Sequence, residues 1–505
     1  MNFSLQSFSR IRVIAGVAMI LVGALPQVGM SDTHSLYLSN EVIDFRDFGK
    51  DLDGSNETIT EKLDDLVYPE NKKRKEWLAA RDVLEPTGED VPRRQSLFGD
   101  QRFLRPGRID NGTTLRSGAT WRSAFMVYGT FRTALQAYNS DTLEFQEWTN
   151  RLDLFGNLAL SGSERVFIGF RPLDDEGKFT GYTFSGGTVP SGFDDARNFE
   201  PRIFFMEGDL GEVFPNLDPD DSRHLDYQFS IGRQGLSFQD GIMINDIVDG
   251  VGLTRHNTFL LGASAAKITA FVGLNEIHRG DNRRSSGSKL FLLSSWFDYS
   301  DATIEFETAY VTGDSAYGGD GFYLGLGRLG RWGYWNSTLR GNASFALENE
   351  TAAVGTGALF THELSRTTRY SDDVFYLNTF LGVDHYTSAA RGPATGGPLG
   401  RLAFLNRAVG LGKYGAPLGN GSGDVVGMSV GYQHFLDAEG YRSVLFELGG
   451  RTPYAGGEGP SMLGFGLRYQ QTLTRQAFLV IDGAVTLDED GNTAHGGRAE
   501  VQVKF

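Results

Sequence analysis

The chain has 505 residues, no cysteine and a net charge of -16. The missing thiols exclude disulfides, thiolate metal sites and cysteine nucleophiles, and the acidic balance argues against a nucleic-acid-binding surface as a whole-protein property. Glycine is abundant at 66, proline scarce at 15, and aromatics reach 12%, a composition that suits strands and turns better than helices.

The first residues carry Arg10 and Arg12, then the apolar run Val13–Leu25, then small and polar residues. This is the layout of a cleaved secretory signal, 1–31, with cleavage near Ser31. The run is short of the roughly 20 residues that a spanning helix needs. No later stretch approaches about 18 consecutive apolar residues, so a bundle of membrane helices is excluded. Residues 32–114 open with a segment dense in charge of both signs, including KLDDLVYPENKKRKEWLAARDVLEPTGEDVPRR. Thr58–Val67 and Lys72–Val83 suit short helices. The segment reads as a periplasmic extension, a plug or a disordered linker.

From about Leu115 the pattern becomes a two-residue alternation, the mark of half-buried strands. Leu152, Leu154, Leu158 and Leu160 share one face, with Arg151, Asp153 and Asn157 on the other. Val166, Ile168 and Phe170 then alternate with Arg165 and Arg171. Leu225, Tyr227, Phe229 and Ile231 oppose Asp226, and Ile304, Phe306 and Tyr310 oppose Glu305 and Glu307. Leu463, Phe465, Leu467 and Tyr469 oppose Arg468. The expected strands are 120–138, 143–160, 164–175, 199–212, 223–235, 248–260, 263–276, 287–299, 302–313, 320–328, 333–345, 352–364, 374–386, 424–436, 441–451, 461–473, 476–488 and 497–505. That makes 18, with 16 as the alternative because the connections 213–222 and 365–373 are long for tight turns.

The strands exceed the five or six residues usual in soluble sheets and suit the roughly 9 to 11 of a transmembrane strand. Short connections (SGSE, LG, YSD, LGR, DAEG, LTR) alternate with long ones near 176–198, 236–247, 277–286, 387–423, 452–460 and 489–496. The fold expected is all-β, a transmembrane antiparallel β-barrel over 115–505, with the short turns periplasmic. A sheet in lipid leaves no edge unpaired, so the last strand must pair with the strand near 120–138.

The closing residues Ala499, Val501, Val503 and Phe505, alternating with Arg498, Glu500, Gln502 and Lys504, resemble the C-terminal strand of bacterial outer-membrane β-barrel proteins. That resemblance implies an outer-membrane location, contact with lipid and lipopolysaccharide, and recognition of Phe505 by the barrel-assembly machinery. The segment FSIGRQGLSFQDGIMINDIVDGVGL, 229–253, resembles the strand, GRQ turn and Asp-rich loop of the alginate-export family. Gly232, Arg233, Gln234, Asn245 and Asp246 carry the match. The family's 18-stranded barrels pass an anionic polysaccharide through an arginine-rich lumen, whereas the inward set here is mixed.

That inward set is Arg151, Asp153, Arg165, Arg171, Asp226, Glu305, Glu307, Glu447, Arg468, Asp482, Arg498 and Glu500. Such charges either line a wet pore and select ions or pair across it and hold its shape. Loop 387–423 is the longest irregular stretch and contains Leu399, Leu402, Phe404 and Leu405. Folded inward it narrows the pore and offers Arg401, Arg407 and Lys413 to an anionic solute; the other reading is a mobile outer loop. His278, Arg279, Arg283 and Arg284 form a basic cluster suited to lipopolysaccharide phosphate or an anionic solute, or to plain solvation.

Asp51, Asp53, Ser55 and Glu57, like Asp488, Asp490 and Asn492, do not match the calcium loop, so no metal is expected. No cofactor motif and no nucleophile motif beside a histidine is present, so no catalytic residue is assigned. The function expected is porin-like passive diffusion of small polar or charged solutes. The alternatives are a structural or adhesive barrel with an occluded lumen, or an outer-membrane hydrolase.

Overall fold

The computed structural model describes residues 96–99, 111–185, 188–220, 225–313, 318–369, 371–457 and 459–505. The signal 1–31, both helices expected in the extension, and Asp51–Glu57 lie outside the described residues. The barrel belongs to the compact unit Val83–Thr368 with Asp372–Phe505.

Eighteen antiparallel strands close on themselves. In chain order they are β1 (Ala124–Asn139), β2 (Glu144–Ala159), β3 (Arg165–Phe170), β4 (Pro201–Asp209), β5 (Tyr227–Phe238), β6 (Ile244–Thr258), β7 (Ala265–Asn275), β8 (Leu290–Asp298) and β9 (Ala302–Val311). They continue as β10 (Gly321–Trp332), β11 (Trp335–Ala346), β12 (Gly357–Thr367), β13 (Val374–Asp384), β14 (Val425–Phe435), β15 (Arg442–Pro453), β16 (Met462–Thr472), β17 (Ala477–Asp488) and β18 (Thr493–Lys504). Each pairs with its chain neighbour, and β18 pairs with β1 from His495↔Asn139 to Lys504↔Thr130. The expected 18 strands and their closure therefore hold, and the count of 16 is excluded.

Alternation decides the two faces. Leu135, Phe204, Ile231, Phe291, Phe306, Leu448, Leu463 and Ile481 are exposed on the outer surface. So much exposed apolar area suits lipid and not water. The inner face of the same strands carries buried Glu147, Asp153, Glu305, Glu307, Glu447, Asp482, Arg498 and Glu500. The apolar core lies inside the barrel, where Ile242, Leu359, Phe380, Tyr386, Leu399, Leu402 and Val425 form one cluster. Phe404, Leu405, Leu418 and Ala484 form another.

Several boundaries move for local reasons. The third strand stops at Phe170, because Arg171 is followed by Pro172, which has no N–H to donate. The chain then returns as Lys178–Ser185 along the upper part of β2. The fourth strand ends at Asp209, whose side chain accepts from Gly211 N at 2.8 Å and starts the single helical turn Leu210–Val213. The expected LGR turn is strand, since Gly330 pairs with Ser337 and the ladder runs on to Trp332↔Trp335. The reversal falls at Gly333 (φ +61) and Tyr334, where a two-residue hairpin needs positive φ. Loop 489–496 shrinks because β18 already begins at Thr493. The GRQ stretch is not a turn either: Gly232, Arg233 and Gln234 lie within β5, and Arg233 pairs with Asp249.

Candidate functional site

The long-loop end of the barrel is filled from within. Segment 387–423 leaves β13, turns into the lumen and returns to β14, with Ala389, Ala390, Leu399, Leu405, Asn406, Leu411 and Leu418 fully or almost fully buried. A second segment, 239–243 between β5 and β6, folds in beside it and buries Ile242 and Met243. A short parallel ladder, Ile244↔Ala390 and Asn245↔Arg391, joins the two. Arg391 is 1% exposed and has no carboxylate partner among the described residues. Its guanidinium donates to Gly241 O at 2.5 Å, Ile242 O at 3.1 Å and Ser388 Oγ at 2.9 Å. Burial lowers its pKa to about 10, which leaves it charged at neutral pH.

Wall carboxylates hold the rest of the loop. Glu447 accepts the backbone N–H groups of Phe404 (2.9 Å) and Leu405 (2.8 Å), and the Tyr376 hydroxyl. Glu147 accepts from Lys413 N (2.5 Å), Lys413 Nζ (3.1 Å) and Gln136 Nε2 (2.5 Å). Asn378 donates to Leu402 O, and Arg151 donates to Gly410 O at 3.0 Å. The wall is also carved to receive the loop. A Cβ on Gly496 would stand 2.6 Å from the Tyr414 ring, and one on Gly466 would meet the Phe404 ring and come within 2.9 Å of Leu405 Cδ2.

The charges expected inward sort into groups. Arg468, Asp482, Arg498, Glu500 and Arg132 form one chain across β16, β17, β18 and β1, with links of 3.0, 2.6, 2.5 and 2.5 Å. Arg151 and Arg171 both hold Asp153, at 2.9 and 2.7 Å. Half a circumference away, Glu305 lies 3.6 Å from Arg340, which also pairs with Glu363 at 3.2 Å. Glu307 accepts from Gln239, Ser294 (3.2 Å) and Trp296 (3.1 Å). Arg165 pairs with Glu207 at 2.6 Å nearer the short-turn end. Asp226 stands apart: it is exposed and precedes β5 instead of lying in it.

The three loop cations differ in what they face. Lys413 binds Glu147 and, at 2.7 Å, Asp194. Burial opposes its charge, but its bonds to Asp194 and Glu147 outweigh that and raise its pKa. Arg401 lies 3.4 Å from Asp240. Arg407 is exposed and has no ion-pair partner among the described residues. The protein packed around its open face lowers its pKa first, and the positive charges of Arg468, Arg401, Arg132 and Arg498 add to that.

The expected basic cluster at 277–286 is split by the fold. Arg279 is 1% exposed and donates to Ser288 Oγ, Thr312 O and Gly319 O. His278 Nδ1 lies 2.8 Å from Asp246 Oδ1. Only Arg283 and Arg284 remain open to solvent.

No sequence pattern marks Glu147, Gln136, Gln239, Asn378 or Arg391 for these roles. The apolar run Ile242–Ile244 inside a loop is the one available signal for the second inserted segment.

The fold, a closed 18-stranded barrel with loops turned inward, matches that of bacterial outer-membrane porins. Among solved structures it is similar to the porin OpdK of Pseudomonas aeruginosa, determined with vanillate, at 11% identity and a TM-score of 0.51; the match covers 75% of this chain and 98% of that one. It is similar also to a BenF-like porin from Pseudomonas fluorescens Pf-5, at 11% identity and a TM-score of 0.50, covering 75% and 98%. At these identities the likeness is one of fold. No family model and no curated protein matches the sequence.

Proposed function

We propose that the protein is an outer-membrane channel for passive diffusion of small polar or charged solutes, narrowed by 387–423 and 239–243. Signal 1–31 directs export, 32–114 stays on the periplasmic side or enters the lumen, and the short turns face the periplasm. Lipid and lipopolysaccharide surround the barrel, and the assembly machinery reads Phe505.

The observation that carries the reading is Arg407, a solvent-exposed guanidinium on the inserted loop, set among four other arginines. An anionic solute relieves that repulsion, so the constriction favours anions. Arg468, Arg498, Arg132, Arg151 and Arg171 outnumber their partners Asp482, Glu500 and Asp153 on one wall, and Glu305, Glu307 and Glu363 outnumber Arg340 on the other, which leaves a net transverse field that orients dipolar solutes. Lys413 and Arg401 act on the loop instead of on the solute, through Glu147, Asp194 and Asp240.

The test is current through the refolded full chain in planar bilayers, with reversal potential read in a KCl gradient. A steady conductance leaning toward chloride is expected. Inserted protein that passes no current would overturn the channel reading in favour of an occluded barrel.

A further inference from the structure

A row of rings lines the lumen between the inserted loop and the short-turn end. Centroid to centroid, Tyr128 on β1 lies 5.6 Å from Phe155 on β2, Phe155 lies 5.6 Å from Phe167 on β3, and Phe167 lies 5.6 Å from Phe205 on β4. The ladder between β1 and β2 runs unbroken from Ala124↔Ala159 to Asn139↔Glu144, so alternation fixes the face. Phe155 follows Arg151 and Asp153 at two-residue steps, and Tyr128 shares parity with Gln136 and Arg132. Those four polar side chains face the lumen, and the rings therefore do too. All four rings are half-buried. At the short-turn side Arg165 borders the row, its guanidinium 5.6 Å from the Phe167 centroid and its Nε 2.6 Å from Glu207.

Lipid accounts for rings on the outer face of a barrel. It cannot account for these, because higher on β1 and β2 the same inner face carries Gln136, Glu147, Arg151 and Asp153. Half-exposed rings in a wet lumen retain apolar surface that a second ring can cover, and ring pairs gain beyond the area they bury. A solute that has passed the loop meets this strip next on its way to the short-turn end.

We propose that Phe155, Phe167 and Phe205, with Tyr128 at the head of the row, form a subsite for solutes bearing a planar aromatic ring. The inference rests on the channel reading above. The Arg165–Glu207 pair, open to solvent at the edge of the strip, supplies a cation and an anion for the polar substituents of such a solute.

The experiment compares L-phenylalanine with its saturated analogue L-cyclohexylalanine, two zwitterions of similar size. Each is added to the full chain in planar bilayers, and interruptions of the potassium chloride current are counted. Phenylalanine is expected to interrupt the current at a concentration about three- to tenfold lower than its analogue. The double variant Phe155→Leu/Phe167→Leu keeps apolar bulk on strands that accept it, and should still insert and conduct while losing that difference. Phe205→Leu alone should lose part of it. Equal interruption by both solutes in the native protein, or a preference that survives the double variant, would overturn the subsite. Inserted protein without any current is a separate failure, that of the channel reading itself.

Discussion

At the scale of single residues, charge in this lumen is mostly matched, and the exceptions carry the expectations. Arg407 has arginines as its charged neighbours, so Arg407→Ala should remove one unopposed positive charge from the inserted loop. One charge acting across about 4 Å of water is worth about 1 kcal/mol. The chloride-to-potassium permeability ratio should therefore fall by about fivefold, read as a shift in reversal potential. Arg401→Ala should change it far less, because Asp240 already offsets that charge.

Lys413 behaves differently because it is bound. Its pKa is raised above the ordinary 10.5, so the tether to Glu147 and Asp194 is complete below that value and is lost as pH climbs through the higher folded value. Current noise from loop motion should stay flat from neutral pH to about that point and rise beyond it. A rise that begins near neutrality would contradict this assignment.

At the scale of elements, the inserted loop is a second layer built inside the first. Glu447 terminates two backbone N–H groups that no strand partner reaches, and hydrogen bonds to charged groups are worth about 1.5–3 kcal/mol each. Glu447→Ala should release Phe404 and Leu405 from the wall and give a noisier channel, while the barrel still forms. Gly466→Val tests the same docking from the wall side, since a branched side chain there occupies the space of the Phe404 ring. It should displace the loop and raise the open conductance.

The strands were legible in the sequence because alternation is a local signal, as in Ile304–Tyr310 and Leu463–Tyr469. The turn at Gly333 was misplaced by three residues because glycine at 330 and at 333 offers the same local freedom. The inward fold of 387–423 was foreshadowed by Leu399, Leu402, Phe404 and Leu405, yet its anchors were not. Glu147 and Asn378 read in sequence as ordinary lumenal polar residues, and only their distance in space from residues 413 and 402 gives them a role. Arg279 and Arg391 misled in the opposite sense, since a guanidinium held by carbonyl groups is indistinguishable in sequence from a solvated one.

At the scale of the whole molecule, the barrel is a ring whose last link is the pairing of β18 with β1. Phe505 and Gly129 exchange both backbone bonds, N–H to O at 2.7 and 3.1 Å. The Phe505 ring lies over Gly129, where a Cβ would come within 2.9 Å of Cε2. By the alternation of β18 that ring faces outward, with Lys504 inward beside Phe478, its Nζ 4.9 Å from the ring centroid. On the proposed reading, closure uses the backbone of Phe505 and recognition its side chain. Phe505→Ala leaves both backbone bonds in place, so the purified variant should refold into lipid vesicles as the native chain does. Its assembly in cells should fall if the side chain is what the assembly machinery reads. Gly129→Val should slow refolding in vesicles too, because its Cβ would run into the Asp153 carbonyl oxygen of the neighbouring strand and force the strands apart, and unpaired backbone there costs several kcal/mol in hydrocarbon. Heat-modifiable migration on gels reads the folded fraction in both settings. Equal loss of Phe505→Ala in vesicles and in cells would place the side chain in closure itself and remove the case for it as a separate signal.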